Sequence, residues 1–108
     1  MEQIYLDTAK VLKALSDPKR LRIVDMLSCG ELCACVTQEE FSITQPTLSH
    51  DMRVLLEAGI VSARKEWKNT YYSLNTEFLE QFSKTLSGMF RDKPDCVCKR
   101  RRNAGDRK

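Results

Sequence analysis

The chain has 108 residues, of which 42% are hydrophobic and 31% charged, a balance that excludes fibrous and wholly disordered classes and allows one domain at most. A domain this short buries roughly two thirds of its unfolded surface, so a second subunit that covered apolar area would add stability. The net charge of +3 conceals an asymmetry: residues 99–108 hold six Lys or Arg and one Asp, a net +5, which leaves −2 on the rest, so any nucleic-acid argument rests on where the charges lie.

Glu2–Leu15 predicts a first helix, with Tyr5, Ala9, Leu12 and Leu15 as its apolar stripe. Ser16-Asp17-Pro18 stops it and starts a second, Asp17 as the cap and Pro18 in the first turn, where its missing N–H costs nothing. Leu21, Val24 and Leu27 give that helix an inward face, and Gly30 ends it. Glu31–Phe41 is short and weakly patterned, helical from about Leu32. Thr44 then caps a fourth helix with Pro46 in its first turn. Leu48, Met52, Leu55 and Leu56 form its core stripe, and Gly59 sits just past its end.

After Gly59 the period changes. Ile60–Arg64 and Thr70–Leu74 are β-branched and aromatic, so they predict a hairpin joined by Lys65–Asn69. Asn75 or Thr76 caps a last helix lined by Phe78 or Leu79, Phe82, Leu86, Met89 and Phe90, with a stop near Asp92. The expectation is a domain over 1–92 and a mobile tail over 93–108. No stretch approaches the ~20 apolar residues of a membrane span. Met1–Leu12 lacks the long apolar run of a secretory signal, so a cytoplasmic location is expected.

Helices followed by a two-stranded hairpin make a mainly α fold with a β-hairpin wing, the layout of a winged helix-turn-helix. With Leu48, Met52 and Leu55 inward, the fourth helix turns Thr47, His50, Arg53 and Glu57 outward, flanked by Gln45 and Ser49. Gln reads adenine, and Ser and Thr read several base edges. The bland alternative is a solvated polar face. Arg64, Lys65 and Lys68 bring positive charge to the hairpin beside Trp67 and Asn69, suited to a phosphate backbone or merely to keeping strand edges soluble.

Five cysteines, Cys29, Cys33, Cys35, Cys96 and Cys98, are many for a reducing compartment. An odd count without a signal peptide argues against a disulfide framework and for a thiolate metal site or redox chemistry. There is no Cys-x-x-Cys, no Ser/His/Asp set and no phosphate-binding glycine loop, so an enzyme is not expected.

Leu12–Leu27 (LKALSDPKRLRIVDML), Gly30–Cys35 (GELCAC), Thr44–Val61 (TQPTLSHDMRVLLEAGIV) and Tyr71–Asn75 (YYSLN) together resemble the ArsR/SmtB family over about residues 5–90. Its members are repressors released from DNA by metals or metalloids. The resemblance implies a homodimer joined by the first and last helices, which presents two reading helices to a roughly palindromic operator, with no cofactor needed to bind it.

Gly30–Cys35 resembles the Glu-Leu-Cys-Val-Cys-Asp motif of the arsenic-responsive branch, whose thiolates bind As(III) or Sb(III); a cadmium and lead branch shares the pair. Soft sulfur selects such ions. This chain departs from the pattern at Ala34, Val36 and Thr37, and Gln38 stands where some arsenic repressors have a third cysteine. A trigonal site would combine Cys33 and Cys35 with Cys29, Cys96 or Cys98. A four-coordinate one would join Cys33, Cys35, Cys96 and Cys98 and suit Cd(II), Pb(II) or Zn(II). The cadmium branch takes further cysteines from an N-terminal extension, and this chain has none, so As(III) is the favoured effector. Cys29 alternatively reads as a buried small hydrophobe, Cys96 and Cys98 as an auxiliary pair or an inert tail, and the whole set as a redox or persulfide switch. Two residues apart on an ideal helix, Cys33 and Cys35 would face different ways, so one ion needs a non-ideal helix start or a distortion that displaces the reading helix. Zinc-sensing relatives carry ligands on the last helix; the single histidine, His50, lies on the reading helix instead.

Overall fold

The computed structural model describes residues 2–92 together with 97 and 101. Among the described residues the elements follow in the order α1 (Gln3–Ala14), α2 (Pro18–Leu27), β1 (Leu32–Cys33), α3 (Ala34–Phe41), α4 (Gln45–Glu57), β2 (Val61–Glu66), β3 (Asn69–Leu74) and α5 (Thr76–Phe90). The strands form one antiparallel sheet in the order β1-β3-β2. Among the described residues no helix is long and apolar enough to cross a membrane. The tail expected beyond residue 92, with Cys96 and Cys98, lies outside the described residues apart from 97 and 101.

The helix starts form as their sequence chemistry dictates. Asp17 accepts hydrogen bonds from the backbone N–H groups of Lys19 and Arg20 at 3.1 and 3.2 Å, with Pro18 opening α2. Thr44 accepts from the Thr47 N–H at 3.4 Å ahead of Pro46. Each such cap is worth about 1 kcal/mol. Gly59 leaves α4 at φ +82°, a left-handed turn that a β-carbon would strain.

The core gathers Val11, Ala14, Ile23, Leu27, Leu48, Met52, Leu55, Ile60 and Val61. Burying each large member contributes about 1.5–3 kcal/mol. Two helix faces differ from expectation. On α1 the inward residues are Thr8, Val11 and Ala14, while Tyr5 and Leu12 stand about half exposed. On α2, Ile23 and Leu27 point inward and Leu21 outward, with Val24 at the rim. Both helices have apolar residues on two adjoining stripes, and the monomer can cover only one of them. α5 packs on α1 and has no fully buried residue, with Phe78 and Phe90 exposed. Open clefts of about 330 and 490 Å³ lie between these two helices, both bordered by Ile4 and Thr85.

The wing is longer and its turn tighter than expected. Pairing runs from Val61↔Leu74 to Glu66↔Asn69, so Lys65 is a strand residue opposite Thr70 and the turn is only Trp67-Lys68. Trp67 has φ +60° and is 87% exposed. Asn75 precedes α5 without capping it: its side-chain amide donates to the Gly59 carbonyl at 2.7 Å, and its carbonyl accepts from the Ser62 hydroxyl. The segment after Gly30 begins as strand rather than helix. Leu32 and Cys33 pair with Tyr72 and Tyr71, adding a third strand to the expected hairpin. The fold is a winged helix-turn-helix.

Candidate nucleic-acid interface and thiolate site

α4 turns Leu48, Asp51, Met52 and Leu55 into the core. Its opposite face leaves Gln45, His50 and Arg53 exposed, with Thr47 and Ser49 half-buried. Gln45 donates to the Ser49 hydroxyl at 3.1 Å, so two of the base-reading candidates hold one another at the helix start. Lys65 and Lys68 are exposed on the wing. Arg64 is differently placed. Its guanidinium meets the Glu31 carboxylate at 2.8 and 3.0 Å and Glu66 at 2.9 Å, and it lies 4.8 Å over the Tyr71 ring. The Glu31 carboxyl is accordingly held below the usual carboxylate range by the hydrogen bonds from Arg64.

Asp51 is the residue that sequence reading missed. It is 2% exposed, and its two oxygens receive Lys19 at 3.1 Å and Arg20 at 3.3 Å from α2, while Arg20 also donates to the Ala14 carbonyl at 2.6 Å. The bridge ties the second helix to the fourth, and thereby sets the angle at which the latter is presented. A signal was present: Leu48, Asp51, Met52 and Leu55 recur at helical spacing, so Asp51 falls inside the apolar stripe and requires a cation.

Cys33 and Cys35 come together because Cys33 is not helical. It is the extended N-cap of α3, at φ −69° and ψ 145°, and its sulfur accepts the Cys35 N–H at 3.4 Å. The two sulfurs are 2.7 Å apart. The non-ideal start that one shared ion requires is thus built in, without unwinding. The Cys35 thiol, donating to Cys33, lowers the Cys33 pKa, aided by the backbone N–H groups of Cys35 and Val36; the same contact, with burial and the charge on Cys33, raises that of Cys35. Iodoacetamide at pH 7 is therefore expected to label Cys33 about threefold or more faster than Cys35, read by peptide mass mapping. The reverse order would contradict this assignment of the thiolate.

Thr37 is 1% exposed and donates to the Cys33 carbonyl at 3.3 Å, so it fastens the strand end to the helix. Cys35 opens onto a shallow concavity of about 500 Å³ with Gln38, Glu39 and Ile43. Cys29 is exposed rather than buried as a small hydrophobe. Among the described residues no three His, Cys, Asp or Glu side chains assemble in a metal-holding group.

A helix with an exposed polar face, a cationic wing and a two-sulfur site thus share one small domain, and comparison with known proteins places that combination. A protein-family model described as bacterial regulatory protein, arsR family, matches residues 17–63. The arsenical resistance operon repressors of Staphylococcus xylosus and Staphylococcus aureus are 45% and 43% identical over 95 residues, in each case 88% of this chain and 91% of the relative. Among solved structures, a homodimeric winged helix-turn-helix DNA-binding domain from Mycobacterium bovis superposes with a TM-score of 0.67 at 26% identity, covering 80% of this chain and 81% of that one. On the extent of these likenesses, the chain belongs to the arsR family of bacterial regulatory proteins.

Proposed function

We propose that this chain is an arsenic-responsive transcriptional repressor, a homodimer that holds operator DNA until As(III) or Sb(III) binds Cys33 and Cys35. The carrying observation is the 2.7 Å approach of the two sulfurs at the N-cap of α3, in a domain whose neighbouring α4 has the polar face of a reading helix. Two thiols condense with arsenous acid, each S–H proton leaving with an As–OH oxygen as water. The likeness to arsenical resistance operon repressors runs over 91% of those relatives, against 67% of a cadmium resistance transcriptional regulatory protein homolog of Staphylococcus aureus that is 46% identical, and this favours the metalloid over Cd(II) or Pb(II), and over a redox switch of the same thiols.

DNA contact is assigned to Gln45, Thr47, Ser49, His50 and Arg53 in the major groove and to Lys65 and Lys68 on the flanking phosphates. Arg64, already matched by two carboxylates, would contribute least. The domain for DNA binding and dimerisation is 1–92, and residues 93–108 are its tail. A third thiolate would come from Cys96 or Cys98, of either subunit, or from Cys29. Dimerisation is assigned to α1 and α5, whose exposed Ile4, Tyr5, Leu6, Leu12 and Phe78 would be covered by a second copy. Its site of action would be the cytoplasm, where operator DNA lies.

The test is a titration of the protein–DNA complex with arsenite, followed by fluorescence anisotropy on a duplex enriched from a random pool by the protein itself. Arsenite is expected to weaken DNA binding at least tenfold, and zinc is not. A complex that survives saturating arsenite overturns the reading.

A further inference from the structure

One member of the cysteine pair, Cys33, is built into the wing sheet. Cys33 stands opposite Tyr71, and Tyr71 stands opposite Arg64, so one cross-strand row runs Cys33–Tyr71–Arg64 over all three strands. Opposed residues of an antiparallel sheet share a face. Arg64 lies back over Tyr71 and reaches Glu31, two residues before Cys33, through two hydrogen bonds of 2.8 and 3.0 Å. Main chain and side chain thereby close a ring from the sulfur site through the wing and back. α3 itself rests on β1 and β3, so its nearest structural neighbour is the wing.

We propose that Glu31 and Arg64 are positioning residues that carry occupancy of the Cys33/Cys35 site to the wing, and so to its grip on DNA. The proposal rests on the metalloid-responsive reading above. Loading exchanges the thiol–thiol contact of the pair for two sulfur–ion bonds, and so resets the spacing of Cys33 and Cys35. Cys35 is set in the helix, while Cys33 belongs to a two-residue strand held by Tyr71 and Tyr72 on one side. Cys33 is the softer member and takes the displacement, and Glu31 moves with it. The clamp on Arg64 then opens or shifts, and β2, which carries Lys65 and leads to Lys68, loses the anchor that fixes its angle. An exposed ion pair of this kind contributes little to stability, so its removal is not expected to unfold the domain. Its worth lies in what it connects.

The experiment compares wild-type protein with Glu31→Gln, and with the charge swap Glu31→Arg/Arg64→Glu. The readout is the release ratio, the DNA dissociation constant with saturating arsenite divided by that without. Arsenite loading is followed separately by sulfur–arsenic ultraviolet absorption. Glu31→Gln is expected to load arsenite with unchanged stoichiometry while its release ratio falls at least fivefold, and the swap to recover at least half of the lost ratio. A Glu31→Gln ratio within twofold of wild type overturns the proposal. Hydrogen exchange of the Tyr71 and Tyr72 amides in DNA-free protein decides it independently. Arsenite is expected to speed exchange in wild type and not in Glu31→Gln; no change in the wild type overturns the proposal. Wild type that loads arsenite yet keeps its DNA overturns the repressor reading and leaves the release ratio with nothing to report; exchange at Tyr71 and Tyr72 alone then decides whether occupancy reaches the wing.

Discussion

Replacing Cys33 by serine is expected to abolish the response to arsenite while leaving the fold and DNA binding intact. The substitution removes a soft thiolate and supplies a hydroxyl that neither ionises near neutral pH nor favours a thiophilic ion. Arsenite affinity should fall about a hundredfold or more, and the release ratio should approach one. The fold is spared for a local reason. Cys33 is the N-cap of α3 and already accepts the Cys35 N–H through its sulfur, and serine is among the best residues for that position. Thermal unfolding should therefore shift by less than about 0.5 kcal/mol, or move upward. The loss of response is then assignable to the ion and not to a damaged helix. A Cys33→Ser protein still released by arsenite would remove Cys33 from the site.

Asp51→Asn is expected to produce the largest loss of stability. The carboxylate is 2% exposed, and its cationic partners are unequal: Arg20 is 16% exposed and Lys19 45%. Removing one member of a buried pair leaves the other charge uncompensated and costs about 3–5 kcal/mol, discounted here because Lys19 can return to water. We expect about 2–4 kcal/mol, which for a domain of this length lowers Tm by roughly 10–20 °C at fixed protein concentration. Arg20→Met/Asp51→Leu, with neither charge present, should recover most of that loss, because similar apolar side chains can replace a buried ion pair at little cost. It should still bind DNA less well, since the bridge also sets how α4 leans on α2. A melt unchanged by Asp51→Asn would show that water reaches the carboxylate.

The parts of this structure that follow from local chemistry were legible in the residues. Asp17-Pro18 and Thr44-Gln45-Pro46 start their helices, Gly59 ends one, and the change of period at Ile60 announces strands. What escaped depended on partners remote in sequence. Leu32-Cys33 is too short to show a strand period and becomes one only because β3 offers it an edge. The inward stripe of α1 could not be chosen from the pattern, since Tyr5-Leu12 and Thr8-Val11 are equally helical in spacing and only the packing of α5 and α4 selects between them. Arg64 reads as a free cation until Glu31, 33 positions away, is seen to hold it. The cysteine pair was found by its motif, but its convergence was not, because a backbone that is extended at one residue and helical at the next leaves no periodic trace.

Trp67 is the chain's single indole, and it stands at the wing tip in a left-handed turn, open to solvent. Its emission consequently reports the surroundings of that tip and of nothing else in the protein. Under the proposed mode of binding, contact of the hairpin with a duplex would be followed there without any attached dye, separately from contact at the polar face of α4.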